Sequence, residues 1–332
     1  MTSLTEVAFE AERPSRRLEP VSLYGLTSGL AWGAVAAGAL IWPDVGDWLE
    51  TQRFAVAAAV FGAGFVAIAV AGRWLLRAGA WIREAGPWLT VSGIVLALWQ
   101  VASAKFGWLP LPFFPPPQAL LEVYTEDYAK LGDSVFASLR LLVVGFAIGA
   151  AFGFFAGVAI GWSRRAGYWV HPVLRFIGPL PATAWLPIAF FAFPSSWSAS
   201  IFLIALATGF PVTVLTWSGI ASVDGRYYDV ARTLGAKPLF LVLRVAIPAA
   251  LPHVFVGLFM ALGSAFSVLM VAELMGVKAG IGFYMQWAQG WASYANVYAA
   301  LVVLALLCSG SITLLFRLRD RVLSWQKGLV QW

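Results

Sequence analysis

The chain has 332 residues, 61 % of them hydrophobic and only 11 % charged, with a mean hydropathy of +0.81. Soluble domains carry roughly a quarter charged residues, so this composition excludes an ordinary soluble globule and describes a polytopic membrane protein. The net charge of +6 is dispersed between apolar runs, which argues against nucleic-acid binding, and a single cysteine, Cys308, excludes an intrachain disulfide.

Residues 1–20 are polar and mix acidic with basic side chains, with no apolar core behind a basic start, so they do not read as a cleaved signal peptide. About 20 apolar residues cross a bilayer as a helix. Eight such runs lie near 23–42, 54–76, 87–105, 137–162, 172–194, 199–221, 251–275 and 297–316. Asp44, Asp47 and Glu50 form a short acidic connection between the first two. After the third run, Leu109–Pro117 is expected to be a stiff extended segment, because consecutive prolines favour that conformation. Over 118–133, Leu120, Leu121, Tyr124, Tyr128 and Leu131 recur at helical spacing with Glu122, Glu126 and Asp127 between them, predicting one amphipathic helix on the outer membrane surface.

Along the fourth run Gly145, Gly149, Gly153, Gly157 and Gly161 recur every four residues, a stripe that lets membrane helices approach closely. Its partner is either another helix of the same bundle or a second copy of the chain. Pro172, Pro179, Pro181 and Pro187 interrupt the fifth run and predict a bent or broken helix. The break is either a plain bend or the lining of a solute path, with Pro181, Trp185 and Pro187 as candidate path residues. In the seventh run Glu273 is an acidic residue within a span. A charge at mid-bilayer costs on the order of 2.5–3.5 kcal/mol on insertion scales, so it should face the bundle interior. Two roles are open to it: a partner for Arg140 or a backbone donor, or a residue of the path. Cys308 reads as a packing residue, and the separated His171 and His253 offer no metal site.

Between the sixth and seventh runs lies a polar island. Asp224 is placed to cap a short helix over 226–234, on which Tyr227, Val230, Ala231 and Leu234 share one face. Gly235 is the expected left-handed closing residue, and Lys237-Pro238 starts a second short helix that leads through Val245, Ile247 and Pro248 into the next span. The basic residues orient the chain. Arg13, Arg16, Arg17, Arg73, Arg77, Arg83, Arg164, Arg165, Arg175, Arg226, Arg232, Lys237, Arg244, Arg317, Arg319, Arg321 and Lys327 fall on one side, leaving only Arg53, Lys105, Lys130, Arg140 and Lys278 for the other side and its span edges. Cytoplasmic loops carry the excess of Lys and Arg, so both termini and the island are expected in the cytoplasm.

The island resembles the EAA loop of binding-protein-dependent ABC transporter permeases, with Asp229, Val230, Ala231, Gly235, Val245, Ile247 and Pro248 at the matching places. Asp stands for the usual Glu, and Val for the first Ala. Ala231–Ala236, Ile247–Pro252, Gly161–Arg165, Pro179–Pro187 and Ala272-Glu273 extend the resemblance to the nitrate/sulfonate/taurine/bicarbonate type, over roughly residues 85–326. It implies an all-α membrane protein with a six-helix type I ABC importer permease core over 81–326, including a coupling loop over 223–248. Residues 1–80 would be a cytoplasmic tail and two extra helices, and 327–332 a second cytoplasmic tail. It implies that Asp229, Val230, Ala231, Arg232, Gly235, Lys237, Val245, Ile247 and Pro248 engage cytoplasmic ABC ATPase subunits. Further implied partners are a periplasmic or lipid-anchored substrate-binding protein delivering a small anion, a second permease copy, and membrane lipid. The chain contains no G-x-x-x-x-G-K-[ST] phosphate loop and no reactive cluster, so no enzymatic activity and no cofactor are expected of it. The rival reading is a self-contained secondary transporter or channel, which an internal repeat would favour.

Overall fold

The computed structural model describes residues 22–71 and 76–326, and among them every regular element is helical. The tails, with Arg13, Arg16, Arg17 and Lys327, and Arg73 lie outside the described residues. Two compact units divide between Glu122 and Val123.

The first unit holds α1 (Leu23–Ile41), α2 (Thr51–Ala71) and α3 (Leu76–Gln100), the last continuing through a π-helical turn over Val101–Lys105. Small residues let α1 seat against both neighbours. A Cβ on Gly25 would lie 2.6 Å from the Ala69 Cβ of α2, and one on Gly86 2.6 Å from the Tyr24 Cβ of α1. A polar seam joins α1 to α3, where Ser28 Oγ donates to Gly86 O at 2.9 Å and Trp32 Nε1 to Leu89 O at 2.9 Å. Lys105, counted with the outer side and its span edges, is buried at the end of the third span. Its side chain is 1 % exposed, pairs with Asp44 at 2.7 Å and donates to the carbonyls of Trp42 and Ala39. A buried cation needs this full set of partners, since desolvation otherwise outweighs the attraction.

The proline-rich stretch is not extended. It turns over Pro110–Phe114, with Phe114 N–H reaching Pro110 O at 3.2 Å. The single surface helix expected over 118–133 is two helices, α4 (Pro117–Glu126) and the start of α5 (Tyr128–Trp162). Asp127 ends the first and opens the second, and its carboxylate is held by Tyr284 at 3.1 Å, Asn296 at 2.9 Å and Lys130 at 3.2 Å. At 1.5 Å per residue the 35 residues of α5 span roughly 50 Å, well beyond a hydrocarbon core of about 30 Å, so its ends protrude.

The fifth span is broken. α6 (Arg164–Ile177) meets a 3₁₀ turn (Ala182–Trp185) and α7 (Leu186–Ala192) at 88°. α8 (Ser196–Ala221) follows, then α9 (Gly225–Thr233) and α10 (Pro238–Leu241), which runs through a π-helical turn over Val242–Ala246 into α11 (Ile247–Met275). α12 (Ile281–Gly290) and α13 (Tyr294–Val322) complete the unit. Among the described residues seven helices are long and apolar enough to cross a membrane, or eight if the bent pair is one span, in agreement with the eight runs read from sequence.

The second unit is built around α8. All five glycines of the α5 stripe face it: added Cβ atoms would come within 2.7 Å of Ile204 at Gly145, 2.6 Å of the Gly209 carbonyl at Gly153, 2.6 Å of Thr216 at Gly157 and 2.8 Å of Ile220 at Gly161, and Gly149 lies against Ala205. Of the two partners open to the stripe, the structure selects a helix of the same chain. Leu141, Leu203, Ile204, Leu262 and Leu269 then form a core shared by α5, α8 and α11, against which Cys308 of α13 packs.

Candidate functional site

The island forms as its local chemistry dictates. Asp224 Oδ1 accepts the Arg226 backbone N–H at 2.9 Å, and its other oxygen pairs with the Arg226 guanidinium at 2.7 Å. These bonds from Arg226, the side-chain one first, hold the Asp224 carboxyl below the usual carboxylate range. At the other end of α9, Gly235 has φ +84°, with Ala236 N–H on Ala231 O at 3.0 Å and Gly235 N–H on Arg232 O at 2.9 Å. This paired closure needs a left-handed residue, which glycine supplies without steric cost. Lys237 precedes Pro238 at the first position of α10.

α10 is a single turn, because the chain does not stop before the membrane. Val245 lies in the π-helical turn, and Ile247 and Pro248 open α11, so one continuous helical path leads from the island into the bundle. A proline at 248 has no N–H to give to the preceding turn, and the wider turn accommodates that loss.

The face of α9 that carries Tyr227, Val230 and Leu234 points outward. These side chains are 67 %, 62 % and 83 % exposed, and Leu239, Phe240 and Leu243 continue the apolar surface. Ala231, Leu234, Gly235, Ala236, Lys237 and Phe240 line a cleft of about 390 Å³. Asp229 and Arg232 pair at 3.2 Å in full view of solvent, where such a pair contributes little to stability. The inward face depends on Tyr228, which sequence reasoning passed over. Its ring meets Trp162 at the end of α5, with centroids 5.8 Å apart, and packs on Ile220, Ala246 and Ala250. Partial burial raises its hydroxyl pKa. Three spans therefore converge under α9.

A second cleft, of about 340 Å³, opens at the break of the fifth span. Gly178, Pro181 and Thr183 line it from the break, Phe210 from α8, and Ser264 and Ser267 from α11. Of the candidate path residues only Pro181 lies here. Trp185 packs on the shared core, and Pro187 opens α7. Thr183, Ser264 and Ser267 were missed, although Gly263, Ser264 and Ser267 stand out as small and polar within an apolar span.

Glu273 lines neither of these two clefts. It is 1 % exposed, accepts from Ser138 Oγ at 2.6 Å and from the Gly282 N–H at 2.8 Å, and so caps α12. Ser138 Oγ in turn accepts the Ile281 N–H at 2.8 Å. Gly280, at φ +108°, brings the backbone so close that a Cβ there would collide with the carboxylate. Of the two roles open from sequence, the backbone-donor role is the one observed. Arg140 is not its partner and instead lies over the Trp197 ring at 5.4 Å.

The sequence profile described as "Binding-protein-dependent transport system inner membrane component" matches residues 149–325. A protein of Brucella abortus (strain 2308), named as a probable ABC transporter permease protein, is 32 % identical over 71 % of this chain and 98 % of its own length. The chain belongs to this family of transport-system inner membrane components. The bicarbonate transport system permease protein CmpB of Synechococcus elongatus is 31 % identical over 71 % of this chain and 86 % of its own. The nitrate import permease protein NrtB of the same organism is 28 % identical over the same shares. A chain of the MetNI methionine ABC transporter, in an inward-facing structure, shares the fold with a TM-score of 0.50 and 17 % identity over 59 % of this chain and 98 % of its own. The island, both clefts and Glu273 all lie within the family match, and α1–α3 lie outside it.

Proposed function

We propose that this chain is the membrane-spanning subunit of an ATP-driven importer, and that the α9–α10 surface is where a separate cytoplasmic ABC ATPase docks. The observation that carries this reading is the exposed apolar face of Tyr227, Val230 and Leu234 beside the 390 Å³ cleft at Gly235. Such a patch is costly in water unless a partner covers it. Closure of the ATPase would push α9, and Tyr228 would pass the displacement to the ends of α5, α8 and α11. Asp229 and Arg232 rim the patch and set orientation rather than affinity.

A second copy would complete the path. The outward stripe of α11 carries His253, Val256, Met260, Gly263, Ser264 and Ser267, whereas the outward face of α5 presents Phe152 and Phe155, 73 % and 69 % exposed. The α5 face suits lipid, and the α11 face suits another chain or water. An external binding protein would deliver the solute. A small oxyanion is favoured because CmpB and NrtB, by their names, handle bicarbonate and nitrate. The setting is the bacterial cytoplasmic membrane with both termini inside, as the Lys and Arg distribution implies.

Leu234→Asp, alone and with Val230→Asp, tests the docking surface without touching the core. Co-purification with the ATPase subunit should fall at least tenfold, since a charge in a desolvated apolar contact costs about 2 kcal/mol or more. Undiminished co-purification would place the ATPase elsewhere.

A further inference from the structure

The cleft at the break of the fifth span has a chemistry more specific than a gap between helices. Among the described residues lining it there is no Asp, Glu, Lys, Arg or His, yet three hydroxyl-bearing residues line it from two elements. Thr183 stands on the 3₁₀ turn just past the break, and Ser264 and Ser267 stand one turn apart on α11. Ser264 Oγ donates to Met260 O at 3.4 Å and Ser267 Oγ to Gly263 O at 3.1 Å. Both carbonyls belong to the helix ladder and keep their backbone partners if the hydroxyls turn away, so redirecting these donors costs little. Hydroxyls and glycine on the outward face of a membrane span are also poorly matched to lipid, which offers them no partner.

We infer that this cleft is a transmembrane subsite that takes a small oxyanion through the hydroxyls of Thr183, Ser264 and Ser267 rather than through a charged side chain. The inference rests on the importer reading and names the chemistry of its path. The charged oxygens of an oxyanion are acceptors, and three O–H donors in a pocket whose other lining includes Phe210, Val268 and Leu206 supply bonds strengthened by low polarity. A fixed cation at the same place would hold the anion too firmly, and conduction needs a site that is weak enough to leave. A volume of about 340 Å³ holds such an anion with part of its hydration.

The test uses the assembled transporter, with its ATPase and binding protein, in proteoliposomes. The probes are nitrate, bicarbonate and ethanesulfonate, with acetamide as a neutral solute of similar size. For the anion that the wild type moves, uptake per ATP should fall about tenfold or more in the Thr183→Val, Ser264→Ala, Ser267→Ala triple variant. Returning the hydroxyl as Thr183→Ser, with both serines intact, should recover the ratio, and Ser267→Asp should depress it further by repulsion. Wild-type uptake per ATP in the triple variant would overturn the subsite. A wild type that turns over ATP in a Leu234-dependent manner yet moves acetamide and none of the anions would overturn the oxyanion assignment while leaving the coupling intact. Loss of Leu234-dependent ATP turnover would instead overturn the importer reading, and this inference with it.

Discussion

Glu273 illustrates what a buried carboxylate does when no cation accompanies it. Its oxygens are occupied by Ser138 and the Gly282 N–H, and Ile281 N–H closes the ring through Ser138. One acidic side chain thereby fixes the start of α12 to α5 and α11. Glu273→Ala leaves the Gly282 donor buried and unpaired, at a cost of about 1–3 kcal/mol, and Glu273→Gln, which keeps an acceptor, should fall between the variant and the wild type. Gly280→Ala combines positive-φ strain, about 1–3 kcal/mol, with a collision against the carboxylate, and should be at least as damaging. Thermal unfolding of the detergent-solubilised chain checks the order. An alanine at 280 as stable as glycine would contradict the geometry.

The contrast with Asp224 and Gly235 shows which residues a sequence discloses. Their bonds reach Arg226 and Ala231–Ala236, all within a few residues, so capping and closing chemistry is legible from spacing alone. Glu273 meets Ser138 across 135 positions, and Lys105 meets Asp44 across a whole helical hairpin. Their burial could be anticipated from cost, but their partners arise only when the spans pack. Tyr228 was hidden for a related reason: the apolar side of α9 was legible, but which side faces the bundle depends on where α5 and α11 end.

At the scale of elements, the glycine stripe makes α5 and α8 nearly one body. Carbonyls and Cβ atoms of α8 occupy the space that side chains on α5 would need. Gly153→Leu should cost about 3 kcal/mol or more, because the obstacle is the Gly209 carbonyl rather than a movable side chain. Gly132→Leu is the control, as nothing lies within 4 Å of its added Cβ. Thermal unfolding separates the two, and equal tolerance at both positions would refute the packing. The four-residue period predicted a helix contact, and only the structure chose between α8 and a second copy. Proline spacing likewise predicted a break in the fifth span, though the 88° turn and the hydroxyl-lined cleft depend on how α8 and α11 pack beside it. The division of 118–133 into α4 and α5 was hidden because the apolar spacing continues across Asp127, while the tertiary bonds of Asp127 mark the boundary.

For the whole molecule, the arrangement is a chain of mechanical contacts running from the exposed α9–α10 surface, through Tyr228, to the ends of three spans, with the hydroxyl-lined cleft beside α8 and α11. An outside motor is central to this account, since the surface that would receive it is apolar and unpartnered. The most direct test reconstitutes the chain in proteoliposomes with and without its ATPase subunit and binding protein, and measures solute uptake. Uptake that requires the ATPase, ATP and the loaded binding protein together is the predicted result. Uptake by the chain alone, driven by an ion gradient, would contradict it.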